Sequence, residues 1–498
     1  MKHFPIRLAM AAASVMIITG GSSLAAQMRP ANRLINISAS VAIHPPGRTV
    51  PNMFMGYSIE WGLIGRMIRH HDGRFKAMVR SIKQLEQFTG PMLLRIGGNS
   101  EDEAAYDLPA DGHLPPFVHI NIIRRTLVRM KELAKATGCQ YVIGLNLGVN
   151  EPALAVRLVK AAERYVGRHH IAAFEIGNEA DFLGRFGRWW KHNNYHMYLR
   201  RWTRYYHAIG PYLGKIKIEG PAFGGGGWLK DLPSYLRDEH SRLTIVSLHR
   251  YPLGAPIKNP HSPQFASIAN LLKPGTADQF AVEIRRVVRV AAPYRLPVRF
   301  GEMNSAWGGG KEGVSNTFAS TLWVATTLLD IARVGGAGVN LHMSQGIDQF
   351  PGWYGPLRFG ADGHLHRMPE YFGMVAAADV LQKNGRPVKI RLHTRLNVSG
   401  FAFVDPHHTL RVAIINRTSS VNFQVHLGLP EGLKLVRAYQ VTAPSLRATS
   451  GVSVTGLRQS GPAIGRMFHT RLQQVHNPAD GRAPLCPAGS IVIETFQG

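Results

Sequence analysis

Apolar and polar positions along this chain alternate with two different periods, which divide most of it into strand-like and helix-like runs. Eight short apolar runs rich in β-prone residues lie at 53–59, 92–96, 141–147, 172–177, 215–219, 243–249, 297–301 and 337–343. Helical patterns separate them at 75–88, 120–136, 153–166, 195–209, 279–291, 317–334 and 370–382. Such alternation predicts a parallel sheet. Eight repeats predict an α/β fold of the (β/α)8 barrel type.

The pattern changes from about residue 387. Short alternating runs follow at 388–392, 399–404, 410–416, 422–427, 434–441 and 490–496, separated by clusters of Gly, Pro, Asn and Ser. This pattern predicts a C-terminal antiparallel β-sandwich. Two early strands, 34–38 and 40–43, are expected to join it. The predicted division is a signal peptide at 1–26, N-terminal strands at 27–50, a catalytic barrel at 51–385 and the sandwich at 386–498.

The first 26 residues have the pattern of an export signal. Lys2 and Arg7 precede an apolar run at 8–18, and a small-residue stretch ends at Ala25 and Ala26. A positive start, a short apolar run and small residues are typical of a cleaved secretory peptide, and the run is too short to cross a bilayer. We expect an exported protein, periplasmic or secreted, without membrane insertion.

Charge and cysteine content narrow the possible partners. The chain has 58 Lys and Arg against 31 Asp and Glu, a net charge of +27. Such a field attracts polyanions, although a basic surface suited to the compartment explains it equally well. Cys139 and Cys486 are the two cysteines, and we expect two separate buried thiols rather than a disulfide. No metal-ligand spacing and no cofactor motif occurs, so neither a metal nor a cofactor is predicted.

Two glutamates follow glycines at the ends of predicted strands. Glu179 follows Gly177 and Asn178 after the fourth strand, and Glu302 follows Gly301 after the seventh. A single glutamate after a strand is more often a solvated or capping residue. In a barrel, however, the carboxyl ends of the strands meet at the active-site mouth. Glycoside hydrolysis needs two such carboxyl groups, one protonated and one ionised, and their surroundings must separate their pKa values. Asn178 is placed to bind a sugar hydroxyl.

Four stretches carry a resemblance to a known family. The positions after strands four and seven resemble the large clan of retaining (β/α)8 glycosidases. The stretches 54–60, 94–100, 301–310 and 352–354 resemble glycoside hydrolase family 79, which contains β-glucuronidases and heparanases. The resemblance covers residues 52–375 and implies that Glu179 is the acid/base and Glu302 the nucleophile. It also implies that Glu60 and Asn99 bind hydroxyls of the terminal sugar and that His249 borders the nucleophile.

The same resemblance implies a pocket for the C6 carboxylate of a uronic acid. Gly308 and Gly309 would bind it through backbone N–H groups, and Tyr354 through its phenol, because hydrogen bonds to an anion are strong. Trp307 stands where compared members have Tyr, and this removes a hydroxyl from the expected pocket. Uronate preference therefore depends on whether the tryptophan is tolerated.

Two loops near the predicted mouth have open roles. The glycine run 224–227 is interpreted as a flexible rim loop rather than a phosphate-binding loop. Trp189 and Trp190, with Arg185, Arg188 and Lys191, could clamp an acidic sugar chain or could simply pack in the interior.

The sequence predicts a retaining exo-β-glucuronidase that acts on a β-glucuronide or an acidic oligosaccharide. The alternatives are a heparanase-like endo-β-glucuronidase and a β-glycosidase of the same clan for neutral sugars, such as a β-xylosidase. A polyanion-binding protein without catalysis would explain the charge but not the two glutamates. No specific nucleic-acid partner is predicted, and the oligomeric state is left open.

Overall fold

The computed structural model describes residues 33–108, 116–184, 190, 193–347, 350–458 and 484–498. Its centre is a closed barrel in which eight parallel strands pair in chain order. The strands are β1 (Met55–Glu60), β2 (Leu93–Gly97), β3 (Gln140–Leu145), β4 (Ile171–Ile176), β5 (Lys217–Phe223), β6 (Leu243–Arg250), β7 (Val298–Met303) and β8 (Gly338–Met343). All eight correspond to predicted strands, and the predicted barrel is confirmed.

Helices surround the barrel, and most of them have one apolar face that packs on the strands. They are α1 (Trp61–Ile68), α2 (Gly73–Thr89), α3 (Arg124–Thr137), α4 (Pro152–Ala162), α5 (Tyr195–Leu213), α6 (Leu232–Glu239), α7 (Ile268–Leu272), α8 (Asp278–Ala291), α9 (Phe318–Arg333) and α10 (Pro369–Leu381). The short helices α1, α6 and α7 were not predicted. The helix predicted from residue 120 begins at Arg124 instead, because Ile120–Ile122 pairs as a short strand with Ala104–Tyr106.

The second sheet has nine strands and curls into two layers. Its strands are the N-terminal strand (Arg33–Ala42), β9 (Arg386–Leu392), β10 (Val398–Val404), β11 (Leu410–Asn416), β12 (Val421–Gly428), β13 (Lys434–Thr442), β14 (Ser453–Arg458), β15 (Leu485–Cys486) and β16 (Ser490–Gln497). Their order is β14, β13, β16, β11, β10, β9, the N-terminal strand, β12 and β15. The strand β9 pairs with β10 over its first half and with the N-terminal strand over its second, so it connects the layers.

The N-terminal strand joins this sheet, as expected, but it is one strand and not two. Buried Ile37, Ala39 and Val41 alternate with exposed side chains along it without a break. A side chain on every second position faces the sandwich interior, and this period is that of a continuous strand. The strand runs parallel to β12 and antiparallel to β9. The short strands β14 and β15 were not predicted.

The barrel and the sandwich share one core. In β11, Val412 and Ile414 face the sandwich interior, whereas Ala413 and Ile415 belong to the large core that contains the barrel residues. Helices α9 and α10 lie between the barrel and this sheet, and almost all their side chains are buried. A sheet covered on both faces needs strands that are apolar on both sides. This requirement explains the continuous apolar run in β11.

Short pairs of strands shape the barrel mouth. Leu253–Gly254 pairs with Ala306–Trp307, and Leu357–Phe359 forms a hairpin with Leu365–Arg367. Cys139 and Cys486 are buried free thiols and form no disulfide, as predicted. No helix in the described ranges has the length and hydropathy needed to cross a membrane. The segment 1–26, predicted to be a signal peptide, and the residues Arg185, Arg188, Trp189 and Lys191 lie outside the described residues.

Candidate active site

The two predicted glutamates lie next to each other at the carboxyl ends of the barrel strands. Glu302 lies in β7, and Glu179 follows β4. A carboxyl oxygen of each and a ring nitrogen of His249, in β6, lie within 4.8 Å of one another. Retaining glycosidases have carboxyl groups about 5–5.5 Å apart, and inverting ones about 6.5–9.5 Å. The spacing agrees with the retaining arrangement.

A sharp turn after β4 brings Glu179 to this position. Gly177 has φ 83°, and Glu179 itself has φ 45° and ψ 50°, in the left-handed region. The Glu179 N–H donates to the carbonyl of Ala222, near the end of β5, at 3.1 Å. A non-glycine residue in this conformation is uncommon, and such residues are enriched at active sites. The turn and this hydrogen bond together place Glu179 beside the end of β5.

Three side chains contact the Glu302 carboxylate: two donate hydrogen bonds to it, and an imidazole lies close to it. Arg95 Nη1 donates to its Oε2 at 2.6 Å, and the Tyr251 hydroxyl donates to its Oε1 at 2.6 Å. His342 Nδ1 lies 3.5 Å from Oε2. Burial by itself would raise the pKa of Glu302, but His342, His249, Arg95 and the Tyr251 hydrogen bond together lower it to about 2. Glu302 is thus ionised over the whole physiological range.

Glu179 has the opposite environment. Burial and the neighbouring Glu302 carboxylate raise its pKa to about 8, and Arg95 and His342 offset only part of this rise. Its Oε1 lies 3.3 Å from His249 Nδ1. Burial and the Arg95 charge lower the pKa of His249 to about 4, so this imidazole is neutral at pH 7. The pair therefore contains one protonated acid and one carboxylate at neutral pH.

Arg95 is the fully buried centre of a carboxylate cluster inside the barrel. Besides Glu302, its guanidinium donates to Glu175 through Nε at 2.9 Å and to Glu101 through Nη2 at 3.3 Å. Nη2 also donates to Asn178 Oδ1 at 2.9 Å. A buried charge persists only when it is paired and hydrogen-bonded. One guanidinium thus fixes both the nucleophile candidate and the residue before the acid.

The Glu60 side chain is buried, and hydrogen bonds from neighbouring residues hold its carboxyl group in place. Its carboxyl accepts from Asn99 N at 3.3 Å, from Ser100 N at 2.9 Å and from the Ser100 hydroxyl. His342 Nε2 lies 3.2 Å from Oε1, so this imidazole bridges Glu60 and Glu302. Gly98 has φ 78°, and a Cβ there would lie 2.5 Å from the Glu60 carboxyl carbon. The expected contact with a sugar hydroxyl stays a prediction.

The two predicted asparagines lie together at the mouth. Asn178 is buried, and its Nδ2 donates to the Asn99 Oδ1 at 3.4 Å. Asn99 is exposed and begins the short helical turn Asn99–Glu101 after β2. Asn178 is therefore oriented by Arg95 on one side and by Asn99 on the other.

The residues expected to bind a sugar carboxylate lie in the segments that follow β7 and β8. Trp307 is 42% exposed, and its ring covers Gly254. Gly308 and Gly309 have φ values of 82° and 83°, and no described residue accepts a hydrogen bond from either N–H. The buried Tyr354 ring stacks on Tyr251 with centroids 5.9 Å apart. Ser344 Oγ donates to the Tyr354 hydroxyl at 3.1 Å, which leaves the phenol proton for another acceptor.

Glu179, His249 and Glu302 are also close enough together to be considered as metal ligands. Both oxygens of Glu302 already accept strong hydrogen bonds, one of them from a guanidinium. A cation at this point would face the positive charge of Arg95 at short range. The donor set therefore fits acid–base chemistry better than metal binding.

Three residues that hold the pair were not predicted, namely Arg95, Tyr251 and His342. Two of them were detectable in the sequence, since Arg95 and His342 are polar residues inside apolar barrel strands. A charged residue inside a strand that packs on both sides must face a buried partner. Tyr251 carries no comparable signal, because a tyrosine after a strand is common.

No family model matches the chain. It is 25% identical over 383 residues to a β-glucuronidase of Neurospora crassa, with 69% of the chain and 66% of that protein covered. It is also 25% identical over 366 residues to a β-glucuronidase of Aspergillus niger, with 65% and 64% covered. The aligned region thus spans less than two thirds of either relative.

Solved structures show the same architecture. A 4-O-α-L-rhamnosyl-β-D-glucuronidase from Fusarium oxysporum has a TM-score of 0.68 and 19% identity, with 93% of this chain and all of that one covered. A GH51 arabinofuranosidase from Xanthomonas axonopodis has a TM-score of 0.66 and 15% identity, with 93% and 100% covered. At such identities the likeness shows the fold alone: a barrel with a C-terminal sandwich.

Proposed function

We propose that this protein is a retaining β-glycosidase. The observation that carries the proposal is the pair Glu179 and Glu302, which lie within 4.8 Å and have pKa values shifted in opposite directions. Two identical side chains with separated pKa values are the arrangement that assigns an acid and a nucleophile. The similarity to fungal β-glucuronidases supports the same reaction class.

In the first step, the ionised Glu302 attacks the anomeric carbon while Glu179 gives its proton to the departing oxygen. The bond from carbon to the leaving group breaks as the bond to Glu302 forms. In the second step, Glu179 takes a proton from water, which displaces Glu302 and releases the sugar with its configuration retained. Arg95 and Tyr251 orient the nucleophile throughout, because each donates to one of its two oxygens.

We propose a terminal β-linked glucuronic acid as the sugar, and membership of glycoside hydrolase family 79. The N–H groups of Gly308 and Gly309, which donate to no residue that the structure describes, and the phenol proton of Tyr354 would bind the C6 carboxylate. Glu60, Asn99, Asn178 and His249 would orient the sugar ring, and the net charge of +27 favours an acidic substrate. Exo-cleavage is the first choice and endo-cleavage of acidic chains the second. An exported location is part of the same proposal.

A second candidate is a β-glycosidase for neutral sugars. Trp307 favours it, because an indole in place of a phenol offers no hydroxyl and its exposed ring can cover an apolar sugar face. The two glutamates would keep their roles, and only the pocket at C6 would change.

A panel of aryl β-glycosides tests both candidates: the glucuronide, glucoside, xyloside and galactoside. Hydrolysis of the glucuronide alone would support the uronate pocket. Hydrolysis of a neutral glycoside alone would contradict that pocket and favour the second candidate. If none is cleaved, long acidic polysaccharides test endo-action. Glu302→Ala and Glu179→Ala should each abolish or strongly reduce turnover. Full activity in both variants would refute the assignment of the site.

A further inference from the structure

The two ends of the glycine run 224–227 differ: hydrogen bonds hold its first two residues, whereas the last two have free space around them. The N–H groups of Gly224 and Gly225 donate to Asp181 Oδ1 and Oδ2 at 2.9 and 2.7 Å. Arg250 Nη1 donates to the carbonyl of Gly224 at 3.1 Å and to that of Phe223 at 2.9 Å. The expectation of a flexible rim loop therefore does not hold for Gly224 and Gly225.

The hydrogen-bonded first half of the run lies against the Glu179 side chain. A Cβ on Gly224 would lie 2.5 Å from the Glu179 carboxyl carbon and 2.6 Å from the Phe182 ring. On its other side, Glu179 meets His249 Nδ1 at 3.3 Å. The Glu179 carboxyl is thus confined between an imidazole and a bare stretch of backbone. By contrast, a Cβ on Gly226 or Gly227 would meet nothing within 4 Å.

We propose that Asp181 is a positioning residue for Glu179, acting through the backbone of Gly224 and Gly225. Asp181 follows Glu179 by two residues in the same tight turn, and its two hydrogen bonds tie the end of β4 to the end of β5. Loss of these bonds releases the backbone that limits the movement of the acid. The inference rests on the proposed role of Glu179, and it adds a residue that does not itself touch the substrate.

The position of Asp181 also affects the charge of the acid. Glu302, Arg95, His342, Arg250 and His249 are the other titratable or charged groups that face Glu179. Asp181 adds a carboxyl group, and burial is the main cause that raises its own pKa to about 6. Above that pH its negative charge disfavours ionisation of Glu179. Its removal should lower the pKa of the acid and move the basic limb of the pH–rate profile to lower pH.

The test compares two leaving groups on the sugar that the wild-type protein hydrolyses. A phenyl glycoside needs protonation of its departing oxygen, whereas a dinitrophenyl glycoside leaves without it. The variants are Asp181→Asn, which keeps one acceptor oxygen, and Gly224→Ala, which pushes a methyl group against Glu179. Gly226→Ala is the matched control, since its Cβ has free space. Thermal unfolding verifies that each variant is folded.

For both variants, kcat/KM on the phenyl substrate should fall about 100-fold, the effect of misplacing a catalytic group by about 1 Å. On the dinitrophenyl substrate it should change by less than about threefold, since general acid catalysis contributes little there. Equal losses on both substrates, or no loss in Asp181→Asn, would overturn the proposal. If Gly224→Ala does not fold, Asp181→Asn decides alone. Failure of the proposed function is a separate result, namely an active Glu302→Ala protein.

Discussion

His342→Gln should move the acid limb of the pH–rate profile to higher pH. His342 lies between two carboxylates, with Nε2 3.2 Å from Glu60 and Nδ1 3.5 Å from Glu302. Burial works against its protonation, but Glu302 and Glu60 outweigh burial and raise the pKa of His342 above its usual value. The imidazolium in turn favours the ionised form of Glu302. A glutamine keeps a hydrogen-bond donor in place but removes the charge.

The size of the shift follows from the distance. Two unit charges about 4 Å apart interact by about 4 kcal/mol at an effective dielectric constant near 20. One pKa unit corresponds to about 1.4 kcal/mol, so this interaction corresponds to about 3 pKa units. Opposite charges at this range typically lower a carboxyl pKa by about 1–3 units. Loss of His342 should therefore raise the pKa of Glu302 from about 2 by ~1–3 units.

The assay is kcat/KM against pH on an activated aryl glycoside, from pH values near the acid limb to neutrality. Below its pKa, Glu302 is protonated and cannot attack, so a higher pKa moves the acid limb upward. Activity after return to neutral pH separates titration from acid unfolding. His366→Gln, at an exposed histidine paired with Asp362, is the matched control and should leave the limb in place. A folded His342→Gln protein whose acid limb stays, or moves to lower pH, would refute the reasoning.

Two further predictions concern the nucleophile and the junction with the sandwich. Tyr251→Phe removes a 2.6 Å hydrogen bond to Glu302, and kcat/KM should fall by the equivalent of about 1.5–3 kcal/mol, as steady-state kinetics would measure. A smaller effect on a stable variant would mean that the Tyr251 hydroxyl does not orient the Glu302 carboxylate. The second prediction concerns Asp379, whose carboxylate accepts from Arg437 Nη2 at 2.7 and 2.8 Å and from the Tyr439 hydroxyl at 2.8 Å. Asp379→Ala removes this acceptor from both residues. The free energy of unfolding measured in urea should fall by ~1–3 kcal/mol. The folded variant should keep its activity. An unchanged urea midpoint of unfolding would contradict the prediction.

The barrel strands were predictable because their pattern is local. Each is a short apolar run, and a strand buried on both faces needs apolar residues at nearly every position. The short helices α1, α6 and α7 were missed, since five to eight residues carry too little helical period to distinguish them from a loop. The N-terminal strand was placed in the correct sheet but divided in two.

The site was predictable in part. Glu179 and Glu302 could be found because acidic residues are scarce in this chain and both follow a glycine at a strand end. Their partners were harder to identify, since Arg95, Tyr251 and His342 come from three different strands or strand ends. Nothing in the spacing of these residues indicates that they meet. Asp181 shows the same difficulty, because its partners Gly224 and Gly225 lie more than forty residues away along the chain.

The sequence by itself determined the alternation of elements, the barrel and sandwich classes and the two acids, because each of these depends on residue type and local period. The family resemblance implied which of the two acids is protonated, but only the tertiary structure supplies a physical basis for the choice. That choice depends on burial and on charges within a few ångströms, and closing the barrel brings Arg95 and His342 next to Glu302 while His249, Gly224 and the Glu302 carboxylate surround Glu179. Two chemically identical side chains thus acquire different pKa values from contacts that are distant in the sequence.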